Sequence, residues 1–524
     1  MKRHPRLTLF AVLALGWLLD FLFWKQAPGV NFAIYAALCL LAGFLLLGME
    51  GKRAAARALW LVAPILFFAV VTFLRTEPLT SSLAVLVTLF LMALLAATFL
   101  GGRWPEYGLA DYTWGFLRLA GSVITRPFAF QSRLARDHTG TRNPPSTLSV
   151  WPVMRGTLIA LPVLLVFGAL LASADLVFNS RLDALARLLR LEDIPQYVFR
   201  LVYIMLAAYA LLGVYLHASS HSGDERLLAA GLPGGARFLG IVESSIVLGG
   251  VVLLFSAFVM IQFKYFFGGT ENIGLEAYSY SEYARRGYGE LMTVAILSLL
   301  MLLALGAFTR RDSIPHQRLF SILSVLVVVL VGVMLVSAYM RLGLYEAAYG
   351  FTRLRAYVHV SLIWLGLLLG VVVVLEFLRR EPLFATAALI AALGFALTLS
   401  VLNVDAFIVR QNVGRTMRGH DLDVPHLASL STDSIPALAA LFQSASTRPE
   451  TKDALGAALA CRLKLPSSRA PHDWRSFTVS RWQAEIALNA VRSGLEGYRL
   501  VQEEPFSRIL TPRGASYDCI TYWD

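Results

Sequence analysis

Two stretches rich in Tyr, Arg and Glu carry most of the side chains in this chain that could do chemistry. The first, KYFFGGTENIGLEAYSYSEYARRGYGEL, supplies Tyr265, Glu282, Tyr283, Arg285 and Arg286. The second, RLGLYEAAYGFTRLRAYVH, supplies Arg341, Tyr345, Glu346, Tyr349, Arg353, Arg355 and His359. Guanidinium forks grip carboxylates and phosphates, and Tyr rings settle where an apolar phase meets water. Two readings follow. Ion pairs and an aromatic belt could lock these loops onto a scaffold, or the loops could form a groove for an anionic ligand such as a phospholipid headgroup. A carboxylate held beside His359 would add acid–base capacity, with Glu282, Glu346 and His359 as the candidates.

Other groupings are weaker. His217 and His221 stand four apart with Asp224 and Glu225 nearby, a spacing that one helical face could turn toward a metal, although a solvated helix end is the commoner use. The run His420, Asp421, Asp423 and His426 is interrupted by Pro425 and matches no standard metal spacing. Gly268 and Gly269, and Gly249 and Gly250, lack the strand and helix context of a phosphate loop. No nucleophile elbow occurs. The expectation is no metal, no cofactor and no catalytic residue set.

The elements that position these residues are apolar. About eleven stretches of roughly 18 to 26 residues fill the chain from Leu7 to Leu402, each long enough to cross a bilayer. With 57% hydrophobic residues, 15% charged and a mean hydropathy of +0.64, the chain is read as an all-α polytopic membrane bundle. The lipid bilayer is its first partner. The net charge of +12 sits in short loops, where it sets topology and meets headgroups, so nucleic acid is not an expected partner. The charge bias places the N-terminus inside and the C-terminus outside. Charges inside spans are few: Asp20, Arg155, Arg200, Glu243 and Glu376 all lie near predicted span ends, where snorkelling can satisfy them. Proton- or sodium-driven transport loses weight accordingly.

The division expected is a four-helix membrane segment over 1–100, an interfacial linker over 101–150, the main membrane domain over 151–402 and a small external helical domain over 403–524. Amphipathic helices lying on the membrane are expected over Tyr112 to Phe130 and Arg181 to Ile194. Pro64 and Pro162 fall inside spans and should bend them. Cys39 lies within the second span, whereas Cys461 and Cys519 share the terminal domain. A bridge between those two would restrict the unfolded chain by roughly 4 kcal/mol; two free thiols are the alternative.

The stretches QFKYFFGG, YSEYARRGYGEL, LYEAAYGFTRLRAYVH, LNVDAFIVRQNV, LIALPVLLVFGALLASAD and DWRSFTVSRWQA resemble the bacterial multi-pass membrane family catalogued as domain of unknown function 4173, which overlaps the family numbered 4153. The similarity runs from about Trp151 to the end. That family usually has Asn-Pro-Asp-Ala where this chain has Asn403, Val404, Asp405 and Ala406, so a looser turn is expected there. The resemblance implies the fold and the bacterial cytoplasmic membrane, and no mechanism.

The leading expectation is a non-enzymatic envelope protein that binds a lipid, an envelope component or a partner at the external Tyr, Arg and Glu surface. A transporter or flippase-like carrier is the alternative, and a membrane enzyme on a lipid-linked substrate the third. In intact cells, cysteines engineered near Ser279 and Ser446 should react with an impermeant maleimide and one near Ser313 should not; the reverse pattern would defeat this orientation.

Overall fold

A computed structural model describes residues 3–139, 167, 194–223, 238–267, 288–311, 313–378, 380, 383–416, 419–465, 473–502 and 507–519. Ten helices among them are long and apolar enough to cross a membrane, and the chain is an all-α, membrane-embedded helix bundle. The expected span Trp151 to Ala172 and almost all of the expected interfacial helix over Arg181 to Ile194 fall outside the described residues.

The chain forms two units, the first of residues 1–24, 41–52 and 118–221 and the second of 25–40, 53–117 and 222–524. In the first, α1 (Pro5–Phe23) lies so close to α6 (Ile194–Ser220) that a Cβ on Gly16 would stand 2.7 Å from the Ile204 carbonyl oxygen. Asp20 and Arg200 pair directly, with Arg200 Nε donating to Asp20 Oδ1 at 2.9 Å. Asp20 is buried; pairing, rather than the snorkelling expected, is what accommodates it. The second half of α5 (Leu109–Thr139) also meets α6, where Gly213 leaves room for the Val123 backbone.

The second unit begins with the first part of α2 (Val30–Met49), which is assigned to it up to Leu40. The span Ala56–Leu74 is broken around Trp60 and Leu61, so that its main helix α3 starts at Val62. Pro64 explains the break: it has no N–H for the Trp60 carbonyl and its ring would clash there. α4 (Pro78–Thr98) is capped by Glu77, whose carboxylate accepts from Leu79 N at 3.0 Å and Thr80 N at 2.7 Å. Four further spans follow as α7 (Ile241–Phe267), α8 (Tyr288–Phe308), α9 (Ile314–Tyr349) and α10 (Arg353–Leu378). The last span is α11 (Phe384–Leu402).

Charge along α9 and α10 is confined to their ends, as a hydrocarbon surrounding requires. α9 has 36 residues, about 54 Å of helix, yet from Leu319 to Met340 it carries no charge. On α10, Arg353, Arg355 and His359 mark one end and Glu376 the other. Between these ends runs an apolar core that includes Val327, Val331, Met334, Leu335, Ala338, Leu362 and Leu369. α10 and α11 interlock through Gly394, where a Cβ would strike the Trp364 ring; Trp364 in turn donates Nε1 to Thr398 Oγ1 at 3.0 Å.

After Leu402 the chain continues as α12 (Val404–Thr416), α13 (Val424–Ser429), α14 (Ile435–Gln443), α15 (Pro449–Lys464) and α16 (Val479–Val491). It closes with three strands, β1 (Arg499–Gln502), β2 (Ser507–Leu510) and β3 (Ser516–Asp518), antiparallel in the order β1-β2-β3. Reading this region as helical missed the sheet, because strands of three or four residues are too short to display a period of two. Ile509 sits at the buried centre of the sheet, opposite Leu500 and Tyr517. Cys461 on α15 and Cys519 just past β3 form a disulfide, with Cα atoms 5.6 Å apart. One core joins this region to the spans, since Leu427, Leu438, Leu455 and Ile509 belong to the same cluster as Ala356, Val360 and Leu399. The DWRSFTVSRWQA stretch docks on the turn before α2: Val30 N donates to Phe477 O at 3.0 Å, and Gly29 passes so near that a Cβ would lie 2.8 Å from the same oxygen.

Candidate functional site

The turn between α9 and α10 is built to hold a pocket open. α9 ends at Gly350, whose φ of 81° suits glycine and whose N–H returns to Glu346 O at 2.8 Å. From α12, Asn412 clamps the turn twice, accepting from Phe351 N at 2.7 Å and donating to Phe351 O at 2.9 Å. Arg415 caps the helix end by donating to the carbonyls of Ala347 and Ala348 at 3.1 Å and 2.8 Å, a favourable use of a cation at a helix C-terminus.

Beside this turn lies a cavity of about 510 Å³. Tyr339, Glu346 and Ala347 of α9, Phe351, His359 and Ile363 on the α10 side, and Phe407, Gln411 and Arg415 of α12 line it. Its chemistry centres on one pair: Glu346 Oε1 lies 2.9 Å from His359 Nδ1. Glu346 is nearly inaccessible, with 3% of its side chain exposed against 19% for His359. The Tyr339 ring meets the imidazole edge-on, with centroids 4.5 Å apart. A carboxylate on Nδ1 fixes the imidazole's orientation and tautomer, which turns Nε2 into the acceptor whenever the ring is neutral.

Arg353 and Arg355, beside this pocket, are committed elsewhere. Arg353 forks onto Asp405, Nε to Oδ1 at 2.8 Å and a terminal nitrogen to Oδ2 at 2.7 Å. Asp405 is fully buried and also accepts from Ser431 N at 2.7 Å. Arg355 donates to Gly350 O and lies over the Tyr345 ring at 4.2 Å, while Tyr345 packs against Tyr349 at 4.9 Å. Arg341 is buried on α9, five residues before Glu346. Tyr265 belongs to α7, but its side chain, and Glu282, Tyr283, Arg285 and Arg286 entirely, lie outside the described residues. The second stretch is thus divided: Glu346 and His359 meet in a cavity, whereas Arg353 and Arg355 hold the turn.

Four residues with little signal in the sequence complete the polar frame. Glu77 accepts the Tyr357 hydroxyl, and Asp433 accepts from Thr76 N and Glu77 N, each at 2.8 Å. Thr432 and Ser480 close the group with a 2.9 Å hydroxyl contact. Lone acidic residues in a loop and a helical segment look like ordinary surface in a sequence; only their tertiary partners reveal them. The turn at Asn403 is tight rather than loose: its φ is 50°, its carbonyl accepts from Phe407 N at 2.9 Å and its side chain accepts from Ala406 N at 3.2 Å. Val404 stands where Pro would rigidify the turn, and Asn403 holds the turn by its own contacts, because Asn tolerates the left-handed region.

One residue of each histidine grouping makes a local contact. His217 Nδ1 contacts Ser122 Oγ at 2.8 Å, and Asp423 caps α13 by accepting from His426 N at 3.0 Å. Asp224 and Glu225 lie outside the described residues, and among those described no three His, Cys, Asp or Glu side chains are placed to hold a metal ion.

The sequence profile of the family described as Domain of unknown function (DUF4153) matches residues 62–441. The chain belongs to this family. The numbering 4173 that the loop motifs suggested is not the one matched. The matched segment contains Glu77, Glu346, Arg353, His359, Asp405 and Asp433, and ends before Cys461 and Cys519. No curated protein and no solved structure matches the chain.

Burial pushes His426 below its ordinary value of 6.5, against the pull of Asp423. Burial pushes Asp433 up from 3.8, opposed by its bonds from Thr76, Ser480 and Glu77. The unfolded chain takes up the His426 proton near 6.5 while the native chain waits for a lower pH, so this group removes stability as pH falls below that value. Asp433 acts oppositely over the range just above 3.8, where the native state holds the extra proton. The thermal midpoint of the purified protein should therefore fall between about pH 7 and pH 5, and His426→Gln should shallow that slope. An unchanged slope in the variant would remove His426 from the account.

Proposed function

We propose that this protein is a bacterial envelope membrane protein, non-enzymatic, that binds an anionic lipid or lipid-linked envelope component in the pocket between α9, α10 and α12. The observation that carries this reading is the Glu346–His359 pair, 2.9 Å apart, in a cavity that also presents Arg415 and the apolar Ile363 and Phe407. Such a lining suits an amphiphile at headgroup depth: the apolar walls accept its chain, while Arg415 and the imidazole face its acidic head. The apolar core beneath, from Leu342 to Val327, favours binding over a carrier, which needs a polar route. In this reading the region after Leu402 lies outside the cytoplasm, which the Cys461–Cys519 bridge supports.

A second reading, a membrane enzyme on a lipid-linked substrate, is favoured by the same pair. A carboxylate-oriented imidazole is the arrangement of a general base.

Lipid mass spectrometry of protein purified in mild detergent separates these readings. Wild type should retain an anionic lipid class, and His359→Phe and Glu346→Gln should each retain at least about tenfold less, the range expected when a hydrogen bond to a charged group is lost, with little change in thermal midpoint. Equal retention by all three proteins would refute the binding reading, and chemically altered lipid appearing only with wild type would establish the enzymatic one.

A further inference from the structure

At the opposite end of α9 and α10 lies a second cavity, of about 540 Å³. Its walls are apolar, with Leu299, Leu303, Val325, Val328 and Val372 among them. On α8 its lining runs from Ala307 to Leu299, eight residues, so the cavity follows the helix for about 12 Å. Its outer end is ionic. The Arg311 guanidinium lies over the Phe320 ring at 3.8 Å and donates to Gly306 O at 3.2 Å. It stands 3.6 Å from Glu376 Oε1, and the two side chains are only 10% and 16% exposed. Ser321 Oγ donates to the same Glu376 oxygen at 2.6 Å. Asp111 adds a second carboxylate to the rim, fixed by Gly108 N at 3.0 Å.

This is a site with both signs of charge at one end and an apolar interior. An anionic head alone would meet two carboxylates, and a cationic head alone would meet the guanidinium. We infer that this cavity binds a phospholipid whose head carries both a phosphate and a primary ammonium, the phosphate facing Arg311, the ammonium facing Glu376 and Asp111, and one acyl chain lying along α8. Both head contacts are charge-assisted and directional, which lets the site choose among lipids with identical tails. The inference is independent of the Glu346–His359 pocket, which uses different residues at the other end of the helices.

The test is competitive lipid retention by native mass spectrometry of the full-length protein. Phosphatidylethanolamine and phosphatidylglycerol with the same acyl chains are supplied at equal concentration. Wild type should retain phosphatidylethanolamine about tenfold better. Glu376→Gln keeps an acceptor for Ser321 but removes the charge, and should abolish that preference. Ala307→Phe, at an exposed position on the cavity wall, should lower retention of both lipids without lowering the thermal midpoint. Equal retention of the two lipids by wild type, a preference that survives Glu376→Gln, or undiminished retention by Ala307→Phe would overturn the inference.

Discussion

The arrangement of the second unit depends on one buried carboxylate. Asp405 has no exposed surface, and an ionised group there is tolerable only because Arg353 forks onto it and the Ser431 N–H completes its acceptors. Those three residues come from the start of α10, the start of α12 and the loop after α13. Satisfying one charge therefore fixes the direction in which the chain leaves the last span. It also sets α12 beside the α9–α10 turn, where Asn412 and Arg415 grip Phe351 and the end of α9. The Glu346–His359 pair owes its place to that turn. Specificity of position is a use to which buried ion pairs are well suited, even where a hydrophobic replacement would be as stable.

The bilayer supplies the second constraint. Because charge is costly in hydrocarbon, α9 and α10 keep it at their ends, and each end has become a place where charge and apolar wall meet. One end carries Glu346, His359 and Arg415, the other Arg311, Glu376 and Asp111. Both cavities have the amphipathic lining that a lipid presents in complementary form, and a closely packed core separates them.

Much of this fold was legible in the sequence because the bilayer imposes a simple rule of length and polarity. The ten described spans end within a few residues of the apolar stretches, the main departure being α9, which runs on to Tyr349 beyond Met340. Its extension is invisible to hydropathy because Arg341 and Glu346 look like the start of a loop. The cavity-lining Glu346 and His359 fall in a stretch that the sequence marks by its density of Tyr, Arg, Glu and His. Its division of labour was not legible: Arg353 and His359 are both conspicuous, and only the tertiary position of Asp405, 52 residues further on, makes one a clamp while the other faces a cavity. Glu77 and Asp433 gave no signal at all. Their roles arise from contacts between segments hundreds of residues apart, which no local pattern encodes.

A double-mutant cycle on Arg353 and Asp405 tests the central claim most directly, with unfolding free energies measured for wild type, Arg353→Met, Asp405→Leu and the pair in one detergent. Removal of Arg353 alone should cost about 3 to 5 kcal/mol, because it strands a buried charge. The double variant should recover at least about 2 kcal/mol of the summed single losses. Losses below about 1 kcal/mol, or strict additivity, would contradict the account, for the pair would then behave as an exposed salt bridge does.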